Sequence, residues 1–118
     1  MHKVMVVDDA QFMRMRLSKL LAERGFEVVE AENGEQAVQV YRSVGPDAVL
    51  MDITMPVKDG LEALSEIRGL DPQANVIMLT ALGQQSMVLQ AVQNGAKDFV
   101  VKPFDPDRVM LALQKVLR

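Results

Sequence analysis

The chain alternates five short apolar runs with five stretches of helical spacing, and this alternation restricts its fold more than any other feature. Strands are predicted at 3–7, 27–31, 48–51, 75–80 and 98–101. Helices are predicted at roughly 10–24, 33–44, 59–70, 84–94 and 105–117. Three of the runs are almost continuously apolar, which is typical of strands buried on both faces of a parallel sheet. Repeated strand–helix units with right-handed crossovers predict a three-layer α/β sandwich.

Capping residues mark the same boundaries. Asn33 and Asp105 lie where helix N-caps are expected, and Pro106 follows at the first helical position. Gly45 and Gly95 come just after two predicted helices, where a left-handed residue is easiest to accommodate. The capping and terminating residues therefore predict the same helix boundaries as the apolar pattern.

Size and composition fit one domain with a buried core. The 118 residues are 49% hydrophobic without a Pro/Gly/Ser-rich linker, so residues 1–118 are predicted to form a single domain. The absence of cysteine excludes disulfides, and the net charge of −3 argues against a nucleic-acid binder. No run approaches the roughly 20 apolar residues of a membrane span, and the start lacks signal-peptide features. We expect a soluble cytoplasmic protein without membrane contact.

Polar side chains gather at the carboxyl ends of the predicted strands. Strand one is followed by Asp8 and Asp9, strand three by Asp52 and strand five by Lys102, while strand four ends in Thr80. Because the carboxyl ends of parallel strands share one edge of the sheet, we expect these side chains to lie in one crevice. Capping of turns would explain any one of them alone, but not the whole set.

Such a crevice predicts a metal site with phosphoryl chemistry. Three carboxylates repel one another, so at least one pKa should be raised unless a cation lies among them. Mg²⁺ is the natural cation, because it takes one or two carboxylates and completes its shell with waters and phosphate oxygens. Lys102 and Thr80 would stabilise charge on a transferring phosphoryl group. Asp52 is then the candidate nucleophile, forming an aspartyl phosphate.

Four segments carry a resemblance to a known family. "VDD" after strand one, "MDITMPVKDG" around strand three, "LTA" at strand four and "VKPF" at strand five resemble the CheY-like receiver domain of two-component response regulators. The similarity covers residues 3 to 117. It implies a flavodoxin-like doubly wound (βα)5 sandwich, whose parallel five-stranded sheet has the order 2-1-3-4-5.

The resemblance also implies metal-binding roles. Asp52 would receive the phosphoryl group from the phosphohistidine of a histidine kinase. Asp9 and Asp52 would bind Mg²⁺ through their carboxylates. Thr54 would bind it through its main-chain oxygen, and Asp8 would hold a coordinated water.

The remaining site residues would act on the phosphoryl group or on the conformation. Lys102, in a cis peptide with Pro103, would pair with the phosphoryl group, and Thr80 would donate its hydroxyl to it. Thr80 and Phe99 would form a switch pair, in which Phe99 turns inward as Thr80 moves. Phe99 lacks the hydroxyl of the Tyr often found there, which puts an output based on that hydrogen bond in doubt. A plain core aromatic is the competing interpretation.

Two positions are expected to set the lifetime of the phosphoryl group. Thr54 lies two residues after the acceptor, and Leu82 lies two residues after Thr80. In this family an acidic or amide side chain at either position helps to orient an attacking water. Neither residue offers one, so we expect slow autodephosphorylation.

The resemblance implies partners as well. The phosphoryl donor would be a sensor histidine kinase or a histidine-phosphotransfer domain, and a flagellar-motor switch protein or a phosphatase would be further partners. Leu89 and Leu111 lie on the usual output face, formed by helix four, strand five and helix five, which could also support a weak dimer of an otherwise monomeric chain. Phe12 and Met15 on helix one are candidate contacts for a phosphotransfer domain. Isolated exposed apolar residues are the competing interpretation.

Other classes fit the sequence less well. An aspartate-nucleophile phosphohydrolase needs a second aspartate where Thr54 stands, and a flavodoxin-like cofactor binder needs a phosphate loop where "VDDAQFMR" stands. The complete acidic, Thr and Lys set argues against a degenerate receiver. A receiver excised from a multidomain transcriptional regulator remains open, although "ITMP" and "ALGQQSMVLQAVQNGAKDFVVKPF" are most similar to stand-alone chemotaxis proteins. We therefore expect a switch in chemotaxis or phosphorelay signalling rather than an enzyme.

Overall fold

The computed structural model describes residues 1–117, so Arg118, the last residue of the predicted single domain, lies outside the described residues. Strands and helices alternate strictly along the chain. In order they are β1 (Lys3–Val7), α1 (Gln11–Glu23), β2 (Glu27–Ala31), α2 (Gly34–Val44), β3 (Ala48–Asp52), α3 (Gly60–Leu70), β4 (Val76–Thr80), α4 (Gln85–Gln93), β5 (Asp98–Val101) and α5 (Pro106–Val116). Among the described residues, no helix has both the length and the apolar character needed to cross a membrane.

The five strands form one parallel sheet in the order β2-β1-β3-β4-β5. This order confirms the flavodoxin-like doubly wound fold that the sequence resemblance implies. The pairing register aligns the carboxyl ends of the central strands, since Val7 lies beside Met51 and Asp52 lies beside Leu79. The polar residues that end or follow these strands are thereby brought to one edge of the sheet.

Helices cover both faces of the sheet. On one face, Met5, Met51 and Met78 are fully buried in a core shared with α2, α3 and α4. On the other face, Val6 and Leu50 are fully buried against α1 and α5. Burial of each such side chain is worth about 1.5–3 kcal/mol, which explains why these strands are apolar at successive positions.

The predicted caps are confirmed. The Asn33 carboxamide oxygen accepts the N–H of Gln36 at 2.9 Å, and an Asp105 carboxylate oxygen accepts the N–H of Asp107 at 2.9 Å. Gly45 ends α2 with φ of 61°, a left-handed conformation that costs glycine little. These contacts fix where α2 and α5 begin and where the chain turns back toward β3.

Helix α4 is less buried than its sequence pattern predicts. Helical spacing predicts one core stripe formed by Met87, Val88, Ala91 and Val92, but Val92 is 49% exposed. Ala91 is the buried residue of this helix, while Met87 and Val88 are half-buried. The main contacts of α4 are with α3 and β4, and they leave the side of the helix that carries Val92 open to solvent.

Candidate functional site

The sheet brings the predicted site residues together at its carboxyl edge. Asp8 directly follows β1, Asp52 is the last residue of β3, and Thr80 is the last residue of β4. Carboxylate oxygens of Asp8, Asp9 and Asp52 all lie within 4.8 Å of one another. The three acidic groups therefore share one pocket, as parallel strand ends require.

The three carboxylates differ in their contact with water. Asp8 is 1% exposed and Asp52 is 8% exposed, whereas Asp9 is exposed at the rim. One carboxylate oxygen of Asp8 accepts the N–H of Ala10 at 2.9 Å, which fixes the turn between β1 and α1. The inner end of the cluster is thus buried, and its outer side, at Asp9, is open so that an ion or a phosphoryl group could enter.

Lys102 supplies the positive charge that faces this cluster. Its Nζ lies 2.9 Å from an Asp52 carboxylate oxygen and 3.2 Å from one of Asp8. Its backbone N–H donates to the Thr80 carbonyl oxygen at 2.7 Å, which ties the end of β5 to the end of β4. The Lys102–Pro103 peptide is cis, as the resemblance implies.

The electrostatics of the pocket follow from burial and from this shared ammonium. Burial raises the pKa of the Asp52 carboxyl above its ordinary value, Lys102 lowers it in part, and the charge of Asp8 raises it further. Burial alone would lower the pKa of Lys102, but its two carboxylate partners outweigh burial and raise that pKa. The pocket thus holds more negative charge than one ammonium compensates.

This donor set fits a hard divalent cation. Mg²⁺ takes a small number of carboxylates, and an uncompensated acidic cluster with an exposed member offers them without rearranging the core. Asp8, Asp9 and Asp52 are the three acidic residues of this cluster. Thr54, exposed in the loop after β3, places its backbone N–H against the Asp52 carboxylate.

The backbone behind Asp52 is held by a glycine. The N–H of Gly60, at the start of α3, donates to the Ile53 carbonyl oxygen at 2.6 Å. A Cβ at Gly60 would collide with the carbonyl oxygen of Asp52. A side chain at this position would displace the end of β3. The glycine that ends "MDITMPVKDG" therefore allows the backbone to keep Asp52 in its place in the pocket.

Thr80 and Phe99 border a common space beside the pocket. Thr80 is 2% exposed, whereas Phe99 is 38% exposed and lies at the surface of β5. Both line a cavity of about 150 Å³, together with residues of the β4–α4 loop and α4. In this structure Phe99 is therefore not a core aromatic, and space is present beside Thr80.

Sequence reasoning missed Arg14. This residue of α1 is 8% exposed, and its guanidinium donates to the Asp8 carbonyl oxygen at 2.7 Å and to Glu30 at 3.0 Å. The signal was its spacing, because Arg14 lies three residues before Leu17 and seven before Leu21, on the buried face of the helix. The hydrogen bond from Arg14 to the Asp8 carbonyl oxygen thus holds the backbone of Asp8 in place.

Sequence reasoning also missed Gln84, the residue before α4. Its side chain contacts Thr80, Ala81 and Thr54 across the mouth of the pocket. No local pattern identifies it, since its partners lie in two loops that are distant in sequence.

The four candidate partner residues are at the surface. Phe12 and Met15 are exposed on α1, Leu89 is exposed on α4, and Leu111 is exposed on α5. The structure thus agrees with their predicted outward orientation, while their contacts with a partner stay a prediction.

Comparisons with known proteins agree with this geometry. The response regulator receiver domain family matches residues 4–114. The chain is 58% identical to the chemotaxis protein CheY of Bacillus subtilis, over 98% of each chain, and 55% identical to CheY of Listeria monocytogenes over the full length of both. A crystal structure of the CheX–CheY–BeF3–Mg complex from Borrelia burgdorferi contains a chain 38% identical, with a TM-score of 0.93, covering 99% of this chain and 90% of that one.

The fold, the acidic pocket beside Lys102 and these relatives lead to one assignment. The resemblance of the four sequence segments to CheY-like receivers is confirmed over nearly the whole chain. The chain belongs to the response regulator receiver domain family, and it is a phosphoacceptor regulator of the chemotaxis type.

Proposed function

We propose that Asp52 is the phosphoacceptor of this receiver. A carboxylate oxygen of Asp52 attacks the phosphorus of a phosphohistidine, the P–N bond breaks, and the imidazole nitrogen keeps the electron pair. The product is an acyl phosphate on β3. The observation that carries this proposal is the position of Asp52, at the strand end beside Lys102 and within 4.8 Å of two further carboxylates.

The neighbouring residues would prepare the site for this transfer. Asp9 and Asp52 would hold Mg²⁺ through carboxylate oxygens, the Thr54 main-chain oxygen would complete the protein ligands, and Asp8 would orient a coordinated water. When bound, the cation neutralises negative charge on the phosphoryl oxygens. Lys102 would keep an ammonium against the same oxygens, in a pocket where burial strengthens the attraction.

The phosphoryl group would then change the surface through Thr80 and Phe99. The Thr80 hydroxyl would donate to a phosphoryl oxygen, and the half-exposed ring of Phe99 would turn into the cavity beside it. A new charge of about −1.5 to −2 is large enough to bias such a two-state element. The surface of α4, β5 and α5, with Leu89 and Leu111, would report the change to an output partner.

The partners follow from the same proposal. A sensor histidine kinase or histidine-phosphotransfer domain would dock near Phe12 and Met15, beside the pocket. A flagellar-motor switch protein or a phosphatase would read the phosphorylated form, and the chain would act in the cytoplasm as a monomer or weak dimer. The 58% and 55% identity to chemotaxis relatives supports a role in chemotaxis signalling. We further propose that residues 1–118 form a single receiver domain.

Acetyl phosphate and Mg²⁺, followed by intact-mass measurement, test the assignment. The wild-type protein should gain a single phosphoryl group, and Asp52→Asn should gain none, because an amide is a poor nucleophile. EDTA should abolish the gain. Asp47→Asn, which changes an exposed aspartate at the other edge of the sheet, is the matched control and should be phosphorylated normally. Phosphorylation of Asp52→Asn would overturn the assignment.

We also propose slow loss of the phosphoryl group. The Thr54 hydroxyl is engaged by the Gln84 side chain at 2.9 Å, and Leu82 is an exposed apolar residue. Neither offers a carboxylate or amide that orients an attacking water. The check is the decay of the phosphorylated mass after removal of acetyl phosphate, and a half-life of seconds would contradict the proposal.

A further inference from the structure

The side chain of Gln84 crosses the mouth of the phosphorylation pocket. Its Oε1 lies 3.0 Å from the Thr80 hydroxyl oxygen and accepts the N–H of Ala81 at 2.7 Å. Its Nε2 donates to the Thr54 hydroxyl at 2.9 Å. One carboxamide therefore links the β4–α4 loop to the β3–α3 loop, the two loops that border Asp52.

The orientation of this carboxamide is fixed by its partners. The backbone N–H of Ala81 can only donate, so the atom 2.7 Å away from it must be the carbonyl oxygen of Gln84. The amino group then faces Thr54, whose hydroxyl oxygen accepts. The Thr80 hydroxyl has a choice of acceptors, Gln84 Oε1 at 3.0 Å and the Ala81 carbonyl oxygen at 3.2 Å, and one proton serves only one of them.

Helix capping does not account for this arrangement. Gln84 is the N-cap residue of α4, yet its side chain makes no capping hydrogen bond to the helix. Glutamine is also not among the preferred N-cap residues. The side chain instead turns back toward the end of β4, where it contacts the Thr80 hydroxyl and accepts the Ala81 N–H.

We propose that Gln84 is a positioning residue that stabilises the unphosphorylated conformation of the site. In that conformation its Oε1 accepts the hydrogen bonds from Thr80 and Ala81 that a phosphoryl oxygen would accept after phosphorylation. This inference rests on the proposed phosphorylation of Asp52. For Thr80 to donate to the phosphoryl group, its proton must leave its present acceptor, Gln84 Oε1 or the Ala81 carbonyl oxygen, and displacement of the Gln84 carboxamide would also release the Ala81 N–H. The loop anchored on Thr54 is released in the same step, so phosphorylation and loop movement are coupled through one side chain.

Two substitutions of Gln84 give opposite predictions. Gln84→Ala removes a hydrogen-bonding competitor worth about 1 kcal/mol, so phosphorylation by acetyl phosphate with Mg²⁺ should be about fivefold faster. Gln84→Glu keeps an acceptor for Thr80 and Ala81 but places a negative charge at the mouth, so phosphorylation should be several-fold slower. A merely structural role would slow both variants. Gln90→Ala, an exposed glutamine on α4, is the matched control and should react at the wild-type rate.

The same Gln84 substitution in a Thr80→Ala protein tests whether Gln84 acts through Thr80. In Thr80→Ala the accelerating effect of Gln84→Ala should fall by at least half, because the hydroxyl that Gln84 holds is gone. Equal effects in both backgrounds, or wild-type rates for Gln84→Ala and Gln84→Glu, would overturn the inference while leaving Asp52 as the acceptor. Phosphorylation that persists in Asp52→Asn would instead remove the proposed function on which the inference rests.

Discussion

Asp52 and Asp71 lie at opposite edges of the same sheet, and their carboxylates are in opposite electrostatic situations. Asp71, after α3, accepts the hydroxyl of Tyr41 at 2.7 Å and the N–H of Gln73 at 3.0 Å. The hydrogen bond from Tyr41 is the main reason that the pKa of Asp71 is lowered. Burial raises the pKa of Asp52, and Lys102 compensates only in part.

The difference shows that the polar groups at the amino edge of the sheet stabilise the fold, whereas those at the carboxyl edge form the candidate reaction site. At the amino edge Asp71 has two donors of its own, whereas at the carboxyl edge a cluster of three carboxylates faces one ammonium, which pairs with Asp8 and Asp52. Backbone strain is also present at the carboxyl edge. Glycines with positive φ occur at both edges, such as Gly45 at the amino edge and Gly83 at the carboxyl edge, but at the carboxyl edge the β-branched Val57 also has φ of 69°. The carboxyl edge thus holds an excess of negative charge that a bound cation would compensate.

Removal of the shared ammonium should have the largest effect on stability. Lys102→Met keeps much of the side-chain volume but leaves Asp8 and Asp52 without the cation between them. In EDTA the free energy of unfolding should fall by about 2–3 kcal/mol, measured by urea denaturation. Added Mg²⁺ should restore part of the loss, because it binds the folded state.

The matched control for this prediction lies at the opposite edge. Lys3 and Glu27 form a partly exposed ion pair with an Nζ–O distance of 3.3 Å. Lys3→Met should cost less than about 0.5 kcal/mol and should not respond to Mg²⁺. Equal losses for the two lysine variants in EDTA would show that the carboxyl edge holds no special excess of charge.

Loss of the Tyr41 hydroxyl should have an intermediate effect that depends on pH. Tyr41→Phe removes a half-buried hydrogen bond, so the free energy of unfolding at neutral pH should fall by about 1 kcal/mol. Because the folded-state pKa of Asp71 lies below its ordinary value of 3.8, this stabilisation is present above that value and is lost as the pH falls through the depressed pKa.

Burial, followed by the hydrogen bond to Asp71, raises the pKa of Tyr41, so its contribution is full below the ordinary value of 10.0 and is lost only at strongly alkaline pH. The difference between wild type and Tyr41→Phe should therefore be constant around neutrality and shrink in acid. Urea denaturation across this range measures it. A difference that grows as the pH falls would contradict the assigned hydrogen bond.

Removal of the exposed carboxylate of the pocket should have the smallest effect on stability and the opposite sign. Asp9→Asn reduces repulsion among the three acidic groups, so the metal-free protein should be more stable by about 0.5 kcal/mol. Mg²⁺ binding, followed by calorimetry, should weaken by about tenfold or more. Glu23→Gln, which removes a charge from the exposed end of α1, should change neither quantity. Unchanged Mg²⁺ affinity in Asp9→Asn would remove Asp9 from the proposed ligands.

Much of the site could be predicted before the structure because it depends on strand direction. Apolar runs with helices between them specify a parallel sheet, and a parallel sheet places all strand carboxyl ends at one edge. The convergence of Asp8, Asp52 and Lys102 follows from that rule. The exposed positions of Leu89 and Leu111 follow from helical periodicity in the same way.

The sequence by itself thus determined the fold class, the strand boundaries to within one residue and the edge that carries the chemistry. Only the tertiary structure decided which side chains meet across loops. Gln84 contacts Thr54, thirty positions earlier in the sequence, Arg14 is buried against the Asp8 backbone, and Val92 is left exposed. The physical reason is that periodicity records which face of an element is covered, whereas a hydrogen bond between loops depends on the paths of both loops in space.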